Sequence, residues 1–145
     1  MTDITFHFNV PDRLAYSCRL LRKAYQKGAS VVVTGEPQVL AQLDELLWSV
    51  SPVDFVPHCL CTASAATVTS SAVVLADSLS GLDRDGVLIN LGQTLPTEFQ
   101  RFERVIEVVT ADEQDRLAAR QRWKHYASRG YVLNQHNLAT SIETA

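Results

Sequence analysis

The chain lacks any apolar run near the ~20 residues that a membrane-spanning helix requires. Its strongest runs are only Ala72–Ala76 and Val87–Ile89. Its start, Met1-Thr2-Asp3-Ile4, has no basic segment leading into an apolar stretch, so no secretory signal is expected. Cysteine is scarce: Cys18, Cys59 and Cys61 are an odd number, two of them one residue apart, which excludes a disulfide framework and fits a reducing compartment. Excess positive charge is also missing. With 13 Lys+Arg against 16 Asp+Glu the net charge is −3, whereas a dedicated nucleic-acid binder is usually basic. There is no internal repeat, no low-complexity block and no long linker.

What is present is globular: 145 residues, 46% hydrophobic and 20% charged, enough for one domain with one ordinary core. Ile4–Phe8 alternates in a β-branched and aromatic run and reads as a strand. Pro11 and Asp12 open a helix that runs to about Lys27, with Leu14, Cys18, Leu21 and Tyr25 on one face and Gly28 ending it. Ser30–Thr34 is a strand with a continuous apolar centre, typical of a parallel sheet covered on both sides. A second helix spans Pro37 to Trp48, and a connector with two prolines, Ser51–His58, follows it. Residues 59–71 show no period. Further strands are expected at Ala72–Ala76, Val87–Leu91 and Arg104–Val109, with a turn at Ser78–Asp85 and a short helix at Pro96–Phe102. Thr110 and Glu113 make a capping pair for a long last helix that closes at Gly130. The alternation predicts a three-layer, Rossmann-like α/β domain with a mostly parallel five-stranded sheet flanked by helices, over residues 1–134, then a polar tail over 135–145.

Such a fold invites a nucleotide, but the motifs oppose it. The first turn, Asn9-Val10-Pro11-Asp12, has no glycine to admit a phosphate. Gly81 and Gly86 have P-loop spacing, yet Val87-Leu88 stand where Lys and Ser/Thr are needed. No cofactor is expected. His58-Cys59-Leu60-Cys61 offers three zinc ligands where a structural site takes four, and His7, His125 and His136 are scattered, so two ordinary thiols after a connector are the better reading. Asp112-Glu113-Asp115 reads as a solvated helix start that suits the helix dipole, and Asp83-Arg84-Asp85 as a turn.

The last helix is more informative. With Arg116 at zero, steps of about 100° put Arg120 near 40°, Trp123 near −20°, Lys124 near 80° and Ala127 near 20°. Cations flanking an aromatic ring form a dock for an acidic peptide or a terminal carboxylate. The competing reading is a solvated basic face whose Trp123 packs on the sheet. Leu117, near 100°, would border the core stripe.

Several blocks together resemble the chi subunit family of bacterial DNA polymerase III: Thr5-Phe6-His7-Phe8, Leu43-Asp44-Glu45-Leu46-Leu47-Trp48, Phe55-Val56-Pro57-His58, Arg120-Gln121-Arg122-Trp123-Lys124-His125-Tyr126 and Gly130-Tyr131-Val132-Leu133-Asn134. The resemblance implies a non-catalytic accessory subunit, cytoplasmic and part of the replisome. It implies that the acidic C-terminal tail of single-stranded DNA-binding protein is held at Arg116, Arg120, Trp123 and Lys124. It also implies that a psi-type clamp-loader subunit is met at Phe55, Val56 and Pro57, with Trp48 beside them, and that DNA is reached only indirectly. Two alternatives stand beside it: a direct nucleic-acid binder using the basic last helix, and a Rossmann-like enzyme without a recognisable cofactor motif.

Overall fold

The computed structural model describes residues 2–49, 58–60, 71–77, 79, 84–96 and 98–138. Seven strands form one sheet: β1 (Asp3–Val10), β2 (Val31–Thr34), β3 (His58–Leu60), β4 (Val73–Ala76), β5 (Val87–Asn90), β6 (Arg104–Thr110) and β7 (Leu133–Asn137). Their order is β3-β4-β2-β5-β6-β1-β7, and every neighbouring pair is parallel. Among the described residues three α-helices accompany them: α1 (Arg13–Gln26), α2 (Pro37–Ser49) and α3 (Glu113–Ser128). The α/β, Rossmann-like class and the parallel sheet are as expected.

The sheet has two more strands than the five expected, and both are at its edges. β3 lies where the connector was expected to end, and β7 takes in Gln135–Asn137, which were assigned to the polar tail. Leu138 beyond it is buried, so ordered core extends past residue 134. The sequence Leu-Asn-Gln-His-Asn has neither the β-branched content nor the apolar alternation of a strand. Its ladder with β1, from Ile4↔Leu133 to Phe8↔Asn137, is what makes it one. The short helix expected at Pro96–Phe102 shrinks to one 3₁₀ turn, Phe99–Arg101.

Alternation divides the core into two layers. Val31, Val33, Val73, Leu75, Ile89, Ile106 and Val108 pack under Leu21 of α1 and Leu40, Leu43 and Leu47 of α2. Ile4, Phe6, Val32, Leu88, Val105 and Val109 face the other way, under Ala119 and Tyr126 of α3. At about 1.5–3 kcal/mol per fully buried apolar side chain, this two-sided burial is the main favourable term in folding. β1 changes sides near its end: Asn9 has φ 58° and the ladder register slips between His7 and Val10, so Val10 joins the α1–α2 layer. Asparagine tolerates the left-handed region, which makes it a suitable bulge residue.

The helix ends follow their caps, with one correction. Asp12 accepts from Ala15 N–H at 3.2 Å to start α1, and Gly28 at φ 77° lets the chain leave. Asp112, rather than Thr110, caps α3, accepting from Asp115 N–H at 3.3 Å. The Thr110 hydroxyl donates instead to the Asp115 carboxylate. Asp115 is therefore no solvated first-turn acid. It is buried, bonded also by Arg13 and by Gln93 Nε2 at 2.8 Å, and ties α1 to α3. Tyr25, expected on the core face of α1, is 39% exposed, because the buried stripe is centred on Ser17 and Leu21 and Tyr25 sits in the last turn.

Candidate protein-docking site on the last helix

Residue Arg116 and residue Arg120 are one helical turn apart on the exposed side of α3, with Trp123 half-buried below them. Together with Phe8, Val109, Ala119 and Gln135 they line an open cavity of about 270 Å³. Phe8 and Val109 stand near the carboxyl ends of β1 and β6, the end of an α/β sheet where ligands usually bind. The floor is apolar and the rim carries two guanidiniums.

Trp123 performs both parts set against each other above. One side of its ring rests on Phe6, centroids 5.1 Å apart, and so belongs to the α3 layer of the core. Another part of the side chain lines the cavity. The structure brings Arg116, Arg120 and Trp123 together but leaves Lys124 exposed and outside the lining. Leu117 does not border a core stripe; it is 52% exposed. The buried stripe of α3 runs instead through Asp115, Ala119, Arg122 and Tyr126.

Arg122 explains why this helix sits as it does. It is 4% exposed, and its Nε donates at 2.9 Å to Oε1 of Glu107, which is fully buried on β6. Asn90 Nδ2 donates to the same oxygen at 2.9 Å, and the Tyr126 hydroxyl donates to Oε2 at 2.7 Å. Burial raises the Glu107 pKa, while the Arg122 charge and these donors pull it back. Since all three partners donate, the geometry holds the carboxylate form. Burial and the neighbouring carboxylate push the Tyr126 phenol well above its ordinary value, so it remains a donor. Arg122 Nη1 is buried with no hydrogen-bond partner among the described residues. This network fixes the rotation of α3 over the sheet and thereby directs Arg116, Arg120 and Trp123 to the cavity.

Sequence reasoning missed the floor of the site. Phe8 follows Ile4 and Phe6 at a spacing of two, a signal that it faces the same helix as they do. Gln135 carries the same signal relative to Leu133, but only once β7 is known to be a strand.

The other singled-out residues lie elsewhere. Trp48, at the end of α2, is 62% exposed and its ring is 4.8 Å from that of buried His58 on β3. Asp44 Oδ1 is 3.3 Å from His58 Nε2. Phe55, Val56, Pro57 and Cys61 lie outside the described residues. His58 and Cys59 are consecutive on a strand and so face opposite sides of the sheet, which separates two of the three residues of the zinc reading. A second crevice, about 480 Å³, opens at the carboxyl ends of β2 and β5, between Thr34, Gly35, Glu36, Asp77, Asn90 and Gly92. Glu36 and Asp77 put two carboxylates in its lining. Among the described residues no helix is long and apolar enough to cross a membrane.

The profile of the family described as DNA polymerase III chi subunit, HolC, matches residues 1–134. The chain belongs to that family. It is 35% identical over 127 residues to the DNA polymerase III subunit chi of Pseudomonas aeruginosa, covering 87% of each chain. It is 29% identical over 123 residues to that of Haemophilus influenzae, covering 84% of this chain and 85% of the relative. For the Escherichia coli subunit the figures are 27% over 118 residues, 81% and 80%. Among solved structures, the C-terminal domain of the DEAD-box protein Dbp5 superposes with a TM-score of 0.60 at 13% identity, covering 96% of this chain and 91% of that one. That likeness concerns the fold alone. As a chi-family member the chain is a subunit of the DNA polymerase III assembly, as its relatives are named.

Proposed function

We propose that this chi-family chain is a non-catalytic adaptor of the replicative polymerase, located with the replisome in the bacterial cytoplasm. The cavity on α3 holds the acidic C-terminal tail of single-stranded DNA-binding protein, and a separate surface joins the clamp loader through a psi-type subunit. The observation that carries the reading is an apolar floor, Phe8 and Val109 beside Trp123, under a rim of Arg116 and Arg120. A tail ending in acidic residues, proline and phenylalanine fits it: the terminal ring enters beside Trp123 and a guanidinium pairs with the terminal carboxylate. Lys124, outside the lining, adds only to the long-range field that draws the tail in.

Exposed ion pairs contribute only ~0.2–1 kcal/mol each, so a single tail binds at about micromolar strength, near −8 kcal/mol. Several tails on one DNA-bound oligomer raise the effective affinity without new contacts. The net charge of −3 suits this division of labour, since DNA is then reached through a partner. The psi-type surface is assigned to Phe55, Val56, Pro57 and Trp48, the last being the exposed ring beside His58.

The test is anisotropy titration of a labelled tail peptide. Arg120→Ala weakens binding about three- to tenfold with the circular dichroism unchanged. Phe55→Ala, checked by its melting temperature, leaves tail affinity within about twofold. Unchanged affinity in a folded Arg120→Ala protein overturns the site. Binding of single-stranded DNA alone, with log K falling steeply in log salt, would make the chain a direct nucleic-acid binder instead.

A further inference from the structure

The chain leaves β2 and β5 in opposite directions. From β2 it turns into α2, whose Leu40, Leu43 and Leu47 lie on one face of the sheet, and goes on to β3 at the edge. From β5 it passes to the other face, where Phe99 and Phe102 are buried, and on to β6. Diverging connections open a crevice at the carboxyl ends of neighbouring parallel strands, the usual ligand position in such sheets. At about 480 Å³ this one has the size of a small-molecule site. Its wall is held from behind. Asn90, 1% exposed, accepts from Gly92 N–H at 2.9 Å and donates to the Thr94 carbonyl at 3.2 Å and to Glu107 at 2.9 Å, while Gln93 is bonded to Asp115. Thr34 ends β2 opposite Asn90 and also lines the crevice. The two side chains share a face, since Val32 and Leu88 two residues earlier share a layer. Thr34 is 8% exposed, and its hydroxyl has no hydrogen-bond partner among the described residues.

Glu36 and Asp77, both exposed, are the charged lining residues among those described. The amino end of α2 adds about half a positive charge beside Glu36 and offsets only part of theirs. Arg13 and Asp115, behind Gln93, neutralise each other. Leu79, Leu95 and Pro96 supply an apolar side. We propose that this crevice binds a small organic cation, an ammonium or guanidinium group on a short aliphatic stem. The head group lies between the Glu36 and Asp77 carboxylates and donates to the Thr34 hydroxyl, which gives that buried oxygen its partner. The stem rests on Leu79, Leu95 and Pro96. A divalent metal ion takes oxygen ligands alone and leaves the apolar side and most of the volume unused. Among the described residues the lining has no aromatic ring on which a base would stack.

The experiment is a nuclear magnetic resonance titration of the isotope-labelled full chain with agmatine, which carries a guanidinium and an ammonium on one aliphatic chain. Binding of about millimolar strength is expected, because exposed ion pairs are weak. The shifts are expected at the amides of Gly35, Asp77, Gly92 and Thr94. Glu36→Gln and Asp77→Asn, at exposed positions, are each expected to weaken binding about threefold, and together to abolish it. Thr34→Val keeps the volume and is also expected to weaken it about threefold, with the fold checked by melting temperature. The controls are butylurea, which has the shape without the charge, magnesium chloride, and a capped glycyl-arginyl-glycine peptide. Agmatine binding with a silent peptide assigns a free cation, whereas binding of both assigns the head group to an arginine side chain of a partner; either result supports the chemistry. Equal shifts from butylurea or magnesium, equal shifts beside exposed carboxylates elsewhere such as Glu103, no shifts up to about 10 mM agmatine, or unaltered binding in the folded variants would each overturn the proposal. None of these outcomes bears on the cavity on α3, which is tested with an acidic peptide.

Discussion

Replacing Glu107 by leucine removes the acceptor on which Asn90, Arg122 and Tyr126 converge. The volume is nearly kept, so the effect is electrostatic. Arg122, 4% exposed, is left as an uncompensated buried charge, and the amide of Asn90 and the hydroxyl of Tyr126 each lose a bond. Breaking a buried pair from one side costs about 3–5 kcal/mol. With an unfolding entropy near 2.1 cal/mol/K per residue, 145 residues convert 4 kcal/mol into about 13 °C of melting temperature. Arg122→Met alone costs less, about 2–4 kcal/mol, because the carboxyl group can escape its charge by taking up a proton. The double variant Glu107→Leu/Arg122→Met is the decisive one. With no charge left to bury, it is expected to be more stable than Glu107→Leu, with a coupling of at least about 2 kcal/mol. Urea unfolding of the four proteins at neutral pH measures the cycle. A loss below about 1 kcal/mol for Glu107→Leu, or single effects that simply add, would refute the view that this pair anchors α3.

Trp123 fluorescence, read in a Trp48→Phe background, is expected to change as the tail peptide saturates, because a ring entering beside the indole alters its solvent contact; a silent titration removes Trp123 from the pocket. Burial, His136, Arg104 and Lys23 lower the His7 pKa from 6.5 to about 4. A folded-state value below the unfolded one means stability that is full above pH 6.5 and is lost as pH falls towards 4. Discounted for partial exposure, the loss from His7 between pH 7 and 5 is about 1 kcal/mol, and His7→Gln is expected to flatten the urea-stability profile by that amount; an unaltered profile refutes it. Although burial alone would raise the Asp115 pKa, its bonds from Thr110, Gln93 and Arg13 hold it below the ordinary carboxylate value. Asp115→Asn is therefore expected to cost about 1–2 kcal/mol at neutral pH, with the gap to the parent protein closing as pH falls below about 4, and a constant gap would count against the pairing.

The central strands were legible in the sequence because burial on both faces forces continuous apolar runs such as Val31–Val33 and Val73–Leu75, which no other element so short would carry. The helices were legible from their apolar spacing and their stops at Gly28 and Gly130, both at positive φ. Arg116, Arg120 and Trp123 could be grouped because 100° per residue is a local rule that needs no knowledge of the rest of the chain. The tertiary structure decided everything that depends on residues distant in sequence. β7 is a strand because β1 offers it a free edge, so a polar segment became part of the sheet and Gln135 part of the cavity. Phe8 and Val109 became its floor only when β1 and β6 came to lie under α3. No local rule pairs Glu107 with Arg122; 15 residues apart, they meet because β6 runs under α3, and each then supplies what the other needs to leave water.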